Sequence, residues 1–154
     1  MKKVISLLLI MVLFFSGCKS TEKVTIENND WKFSRIVESK TDKVVFSSQK
    51  DSFKYDGAKS IDISCSADNG KIIIKDNSSG NEWHLDYTEN KKAKTNNTDG
   101  YIYEVTYSTE SENIKGYAST GAANLNGITA NDYLIVTISG YDLYFVNLEE
   151  TKLN

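Results

Sequence analysis

The sequence predicts an all-β fold: a single antiparallel β-sandwich or small β-barrel of about eight or nine strands. Three observations carry that expectation. Residues 82–88 alternate apolar and polar side chains without a slip, and 101–109 alternate again apart from Ile102 on the polar face, the period of a strand with one face buried. Asn69-Gly70 stands between two apolar runs, and both residues accept the positive φ that a tight hairpin turn requires. No stretch after Cys18 repeats apolar residues at helical spacing for three turns.

Taken in order, Trp31 to Glu38 opens with Trp31 and Phe33 on one face and Lys32 and Ser34 on the other. A turn through Lys40 to Lys43 leads to Val44 to Ser48, β-branched and aromatic at its centre, and the two strands are expected to pair. Gln49 to Lys59 is polar, punctuated by Phe53, Tyr55 and Gly57, and reads as a connection. Ile61 to Ser66 and Lys71 to Lys75 form the Asn-Gly hairpin. A second turn over Asn77 to Asn81 enters Glu82 to Thr88, with Trp83, Leu85 and Tyr87 facing one way and Glu82, His84 and Asp86 the other.

After the polar loop Glu89 to Gly100, Tyr101 to Thr109 sets Tyr101, Tyr103, Val105 and Tyr107 against Ile102, Glu104, Thr106 and Ser108. Ile114 to Ser119 reads as a short strand. Thr120 to Gly127 has small residues and two glycines, so it reads as a mobile loop or a close-packed crossing. Tyr133 to Ile138 and Leu143 to Leu148 form a last hairpin around Ser139-Gly140-Tyr141-Asp142, before the polar tail. Proline is absent, so protection of edge strands falls to Lys and Glu on the strand faces.

The first eighteen residues are of another kind. Lys2 and Lys3 give a cationic start, Val4 to Phe15 an apolar run, and Phe15-Ser16-Gly17-Cys18 a small-residue exit, the layout of an export signal. The run is shorter than the ~20 residues that cross a bilayer. Phe15-Ser16-Gly17-Cys18 resembles the lipobox of bacterial lipoproteins, with Phe15 where that family usually carries Leu. The resemblance implies cleavage before Cys18 and diacylglycerol on its thiol. Two acyl chains anchor firmly where one holds marginally. The expected division is leader 1–17, lipidated Cys18 with a tether to residue 29, β domain 30–150 and tail 151–154. The expected location is the extracytoplasmic face of the cell membrane, with the bilayer as partner through acylated Cys18.

The 136 residues after Cys18 suffice for one domain with its own core. They carry 16 basic and 21 acidic residues, a net charge of −5 that argues against nucleic acid as a partner and against adsorption to anionic lipid. Cys65 is the only other cysteine, so no disulfide closes within the domain. It shares a strand face with Ile61 and Ile63 and reads as a core thiol.

His84 with Glu82 and Asp86 offers one nitrogen and two carboxylates on one face, and a solvated polar face explains the same letters. A single histidine and no Gly-x-Ser-x-Gly elbow leave no catalytic set to name. Asp76, Ser78 and Glu82 around Gly80 lack the full oxygen set of a Ca²⁺ loop. Lys91, Lys92 and Lys94 read as a solvated turn. No metal site and no cofactor is expected. Tyr101, Tyr103 and Tyr107 form an aromatic stripe that can stack on a ligand or line a cavity, although tyrosines at period two are more often half-buried sheet residues with a wet hydroxyl. They are the candidate ligand-binding residues.

The expected function is a non-enzymatic binding or interaction module for a peptide, a protein or a small apolar ligand, with an envelope hydrolase as the alternative. Asn29-Asp30-Trp31-Lys32-Phe33 and the closing hairpin resemble lipocalin-like proteins, with Asn29 where that family carries Gly. That resemblance implies a Trp plugging one end of a barrel and a central cavity for an apolar ligand.

Overall fold

The computed structural model describes residues 23–49, 54–92, 100–125 and 128–147, with side chains omitted over 123–131. The leader, Cys18, Lys94, part of the loop before Gly100 and the tail lie outside the described residues. Ten strands join in one sheet that closes on itself: β1 (Trp31–Glu38), β2 (Lys43–Ser47), β3 (Lys59–Ser60), β4 (Ile63–Asp68), β5 (Lys71–Asp76), β6 (Glu82–Glu89), β7 (Ile102–Ser108), β8 (Asn113–Leu125), β9 (Ile128–Ile138) and β10 (Tyr141–Asn147). From β4 to β10 each strand pairs antiparallel with the next, and β10 returns to β1. Of the two architectures the sequence allows, the barrel is the one adopted, with eight strands in the closed ring.

Turn chemistry fixes the register. Asn69 and Gly70 have φ of 49° and 76°, and Ser139 and Gly140 have 52° and 83°. Positive φ at both central residues matches the twist of the flanking strands, and no residue is lost between Asp68↔Lys71 or Ile138↔Tyr141. Between β5 and β6 the turn is tied by Asp76, whose carboxylate accepts from the Ser78 N–H at 2.9 Å and the Ser79 hydroxyl at 2.8 Å. Those bonds hold its pKa below the ordinary carboxylate value.

Strand β1 explains the barrel's shape. One edge pairs with β10 from Lys32 opposite Val146 to Glu38 opposite Tyr141. The other edge is divided: Trp31 and Lys32 face Cys65 and Ser64 of β4, while Arg35 to Glu38 face Ser47 to Lys43 of β2. The far side of β2 carries β3 in parallel, with Phe46 beside Lys59, and β3 leads on into β4. Strand β2 is therefore a wedge between β1 and β4 at one end only. Register shifts at Phe33/Arg35 and Ile36/Val37 bend β1 enough to admit it. The ring has eight strands at one end and gains a ninth at the other, and barrel diameter grows with strand number.

The narrow end is filled. Trp31, Ile72, Leu85, Val105, Leu134, Val136 and Phe145 are all at most 2 % exposed. Residues 23–29 fold across this end, and Val24 and Ile26 join the core. The Trp31 indole N–H donates to the Ile26 carbonyl at 2.8 Å, and the Thr120 hydroxyl to the Val24 carbonyl at 2.6 Å. Asn147 Nδ2 donates to Asn29 Oδ1 at 2.8 Å. Part of the stretch read from sequence as tether thus serves as the barrel's stopper.

The segment from Thr120, expected as a loop or a close crossing, continues β8 to Leu125, paired with β9 as far as Leu125↔Ile128. Small residues pack tightly there: Ala118 and Thr120 are each 1 % exposed. Their size suits a crowded wall, and composition alone does not separate that from a loop.

Candidate functional site

Above the filled layers, the wide end holds an apolar cavity of about 350 Å³. The wedge region supplies Ile36 and Phe46, and β3–β4 supply Ile61 and Ile63. Ile74, Trp83 and Leu85 face them from β5 and β6, and Tyr107 and Ile114 come from β7 and β8. The β9–β10 hairpin completes the wall with Ile138, Ser139, Tyr141 and Leu143. Apart from the Ser139 hydroxyl, the Trp83 indole and the tyrosine phenols, the lining side chains have no hydrogen-bonding group. Such a surface gains by excluding water and does not orient a polar ligand inside. A volume of this order sits at the lower end of small-molecule sites.

The alternation of each strand places these residues inward, and the extra strand keeps them from meeting. The core tapers from Leu134 and Val136, both 0 % exposed, to the partly exposed Ile138, which follows at the same face. Phe145, 0 % exposed, and the partly exposed Leu143 repeat the gradient on β10.

The tyrosine stripe divides between the two ends. Tyr107 lines the cavity. Tyr103 is 6 % exposed at the narrow end, stacked edge-on against Tyr87 at 5.4 Å between centroids. Its phenol oxygen accepts from the Ile26 N–H at 3.2 Å, and burial raises its pKa. Tyr101 lies beside it, 6.2 Å away, with the Lys23 ammonium 5.2 Å over its ring. Tyr87 donates to the Glu27 carboxylate, which also accepts from Gly70 N–H at 3.4 Å. Burial first, then that carboxylate, raises the Tyr87 pKa. Tyr101 and Tyr103 hold the stopper, and only Tyr107 reaches the cavity.

The other sets named from sequence stand on the outer wall or in turns. His84 Nε2 lies 3.4 Å from Glu82, whose other contact is Lys75 at 3.1 Å. The lysine, by hydrogen bond and charge, lowers the Glu82 pKa. Asp86 pairs with Lys71 at 2.5 Å. Among the described residues, no three His, Cys, Asp or Glu side chains are placed to hold a metal ion. Cys65 is buried beside Trp31, and desolvation pushes its thiol up to about 12.

Alternation gave Trp83, Ile61 and Ile63 as inward residues. That they border a space and not a filled core depends on β2, whose insertion is set by long-range pairing. No protein-family model, curated protein or solved structure matches this chain.

Proposed function

We propose that this protein is a membrane-anchored, extracytoplasmic and non-enzymatic binding module that takes a small apolar ligand in the wide end of its barrel. The observation that carries the reading is the cavity, an unfilled space lined by isoleucine, leucine and aromatic side chains. Placing such a surface at the end of a strand-rich domain has a stability cost that a filled core avoids, because lining atoms without neighbours forfeit dispersion contacts. A ligand restores those contacts. Eight-stranded barrels are of the size that holds one small molecule, which is also what the lipocalin-like resemblance implies.

The anchor rests on the lipobox-like Phe15-Ser16-Gly17-Cys18. Mass spectrometry of the membrane fraction is expected to find a chain beginning at diacylated Cys18; a chain starting elsewhere with a free thiol would refute it.

Binding is tested on the protein in discs of zwitterionic phospholipid, with isoleucine methyls labelled for NMR and 1-octanol as a neutral probe. Saturable shifts are expected at Ile63, Ile74, Ile114 and Ile138. The methyls of Ile102 and Ile135, on the opposite side of the wall, report partition into the disc. Cavity methyls that move no more than these two would end the proposal.

A further inference from the structure

Resting on that binding reading, we infer that the ligand is a single-chain amphiphile with a cationic head, inserted tail first. The tail follows from the lining. A chain of hydrocarbon needs no hydrogen-bond partner, and the cavity offers almost none. At ~30 Å³ for each water-sized unit, about 350 Å³ accommodates roughly a dozen heavy atoms. That suits one medium-length alkyl chain and is too small for two of that length.

The head follows from the rim. Asp62, Asp76 and Glu82 surround the β5–β6 turn, and Glu110 and Glu112 the β7–β8 turn. Lys75 is the one lysine among the rim positions of this arc, and it is held by Glu82 at 3.1 Å. The hydrogen bonds Asp76 receives from Ser78 and Ser79 keep it ionised without cancelling its charge. Across the mouth, Glu38 and Asp42 stand with Lys40, Lys43 and Lys59, which is close to balance. Lys59 is next to the cavity-lining Phe46 in the β2–β3 pair, and it is the group an anionic head would use. The acidic arc outweighs it. A head group at the mouth therefore meets a negative field over β5 to β8, and the ligand's charge is positive.

Entry is at the wide end. The stopper at Val24 occupies the narrow end, and Cys18 is six residues before it. At ~3.3–3.6 Å per residue, six residues reach about 22 Å at most, which ties the narrow end, and not the mouth, to the proposed anchor.

The test repeats the methyl titration with octyltrimethylammonium and octanoate, which share a tail. The cation is expected to shift Ile63, Ile74 and Ile114 at about five-fold lower concentration or better, a gap that narrows in about 0.5 M salt because the acids are exposed. Glu110→Gln combined with Glu112→Gln, both exposed positions, is expected to narrow it likewise while leaving octanol binding unchanged. Equal affinity for the two ions overturns the inference, and so does tighter octanoate binding that Lys59→Gln weakens. In either case an intact octanol response leaves the binding module standing; a missing octanol response removes both.

Discussion

Thr120 shows how much of the closed end depends on one side chain. Its hydroxyl donates to Val24 O at 2.6 Å and accepts from Tyr101 N–H at 3.1 Å, at 1 % exposure. Thr120→Val keeps the shape and leaves both backbone groups unpaired. A loss of roughly 2–3 kcal/mol is expected in denaturant melts, with the stopper released before the barrel. Cys65 makes a second residue-scale prediction. Its thiol, raised from 9.0 to about 12 by burial, should resist iodoacetamide at neutral pH and react only in step with unfolding. A raised pKa favours the protonated form in the folded state, so this contribution to stability is whole below pH 9.0 and is lost as pH climbs toward 12. Rapid labelling in native buffer would contradict the burial. The core character of Cys65 was legible from its alternation with Ile61 and Ile63. The division of Tyr101 and Tyr103 from Tyr107 was not, because period two gives the face of a strand and not its depth along the barrel.

Among the elements, the hairpins were readable because their turn residues have a local reason to be there. Asn69-Gly70 takes positive φ at both positions, as the sequence around it predicts, and so does Ser139-Gly140, which turns the chain in two residues where the sequence suggests the four from Ser139 to Asp142. Strand β8 was read six residues short, since Gly121, Ala122 and Ala123 have weak strand propensity and are held in place by pairing with β9. Gly116 marks a close approach in the same strand: a Cβ there would lie 2.2 Å from the Thr137 carbonyl oxygen. That oxygen belongs to the backbone and cannot turn aside. Gly116→Ala is expected to push β8 from β9 near the mouth, lowering stability by roughly 1–3 kcal/mol, read as a fall in Tm. Unchanged Tm would show that the strands part freely. The wedge of β2 had no sequence signal beyond its hairpin with β1, because its second neighbour, β3, is a two-residue strand with no pattern of its own.

At the scale of the molecule, one chain builds a barrel with unlike ends. The N-terminal segment stops the narrow end with Val24 and Ile26, and the extra strand widens the other. Packing and the hydrogen bonds of Trp31, Thr120 and Asn147 hold the closed end, and the buried core runs through the long strands of the ring. The proposed anchor, Cys18, precedes the stopper by a few residues in the sequence, so the proposed lipid is tied to the end away from the proposed ligand. The wide end is the proposed binding site. Ile114→Trp tests it most directly, since the larger ring fills the space that a ligand would occupy. Octanol titration of wild type is expected to saturate at the Ile63 and Ile74 methyls; the variant should bind at least about ten-fold more weakly while its Tm holds or rises. Equal octanol binding by a folded Ile114→Trp would contradict the account.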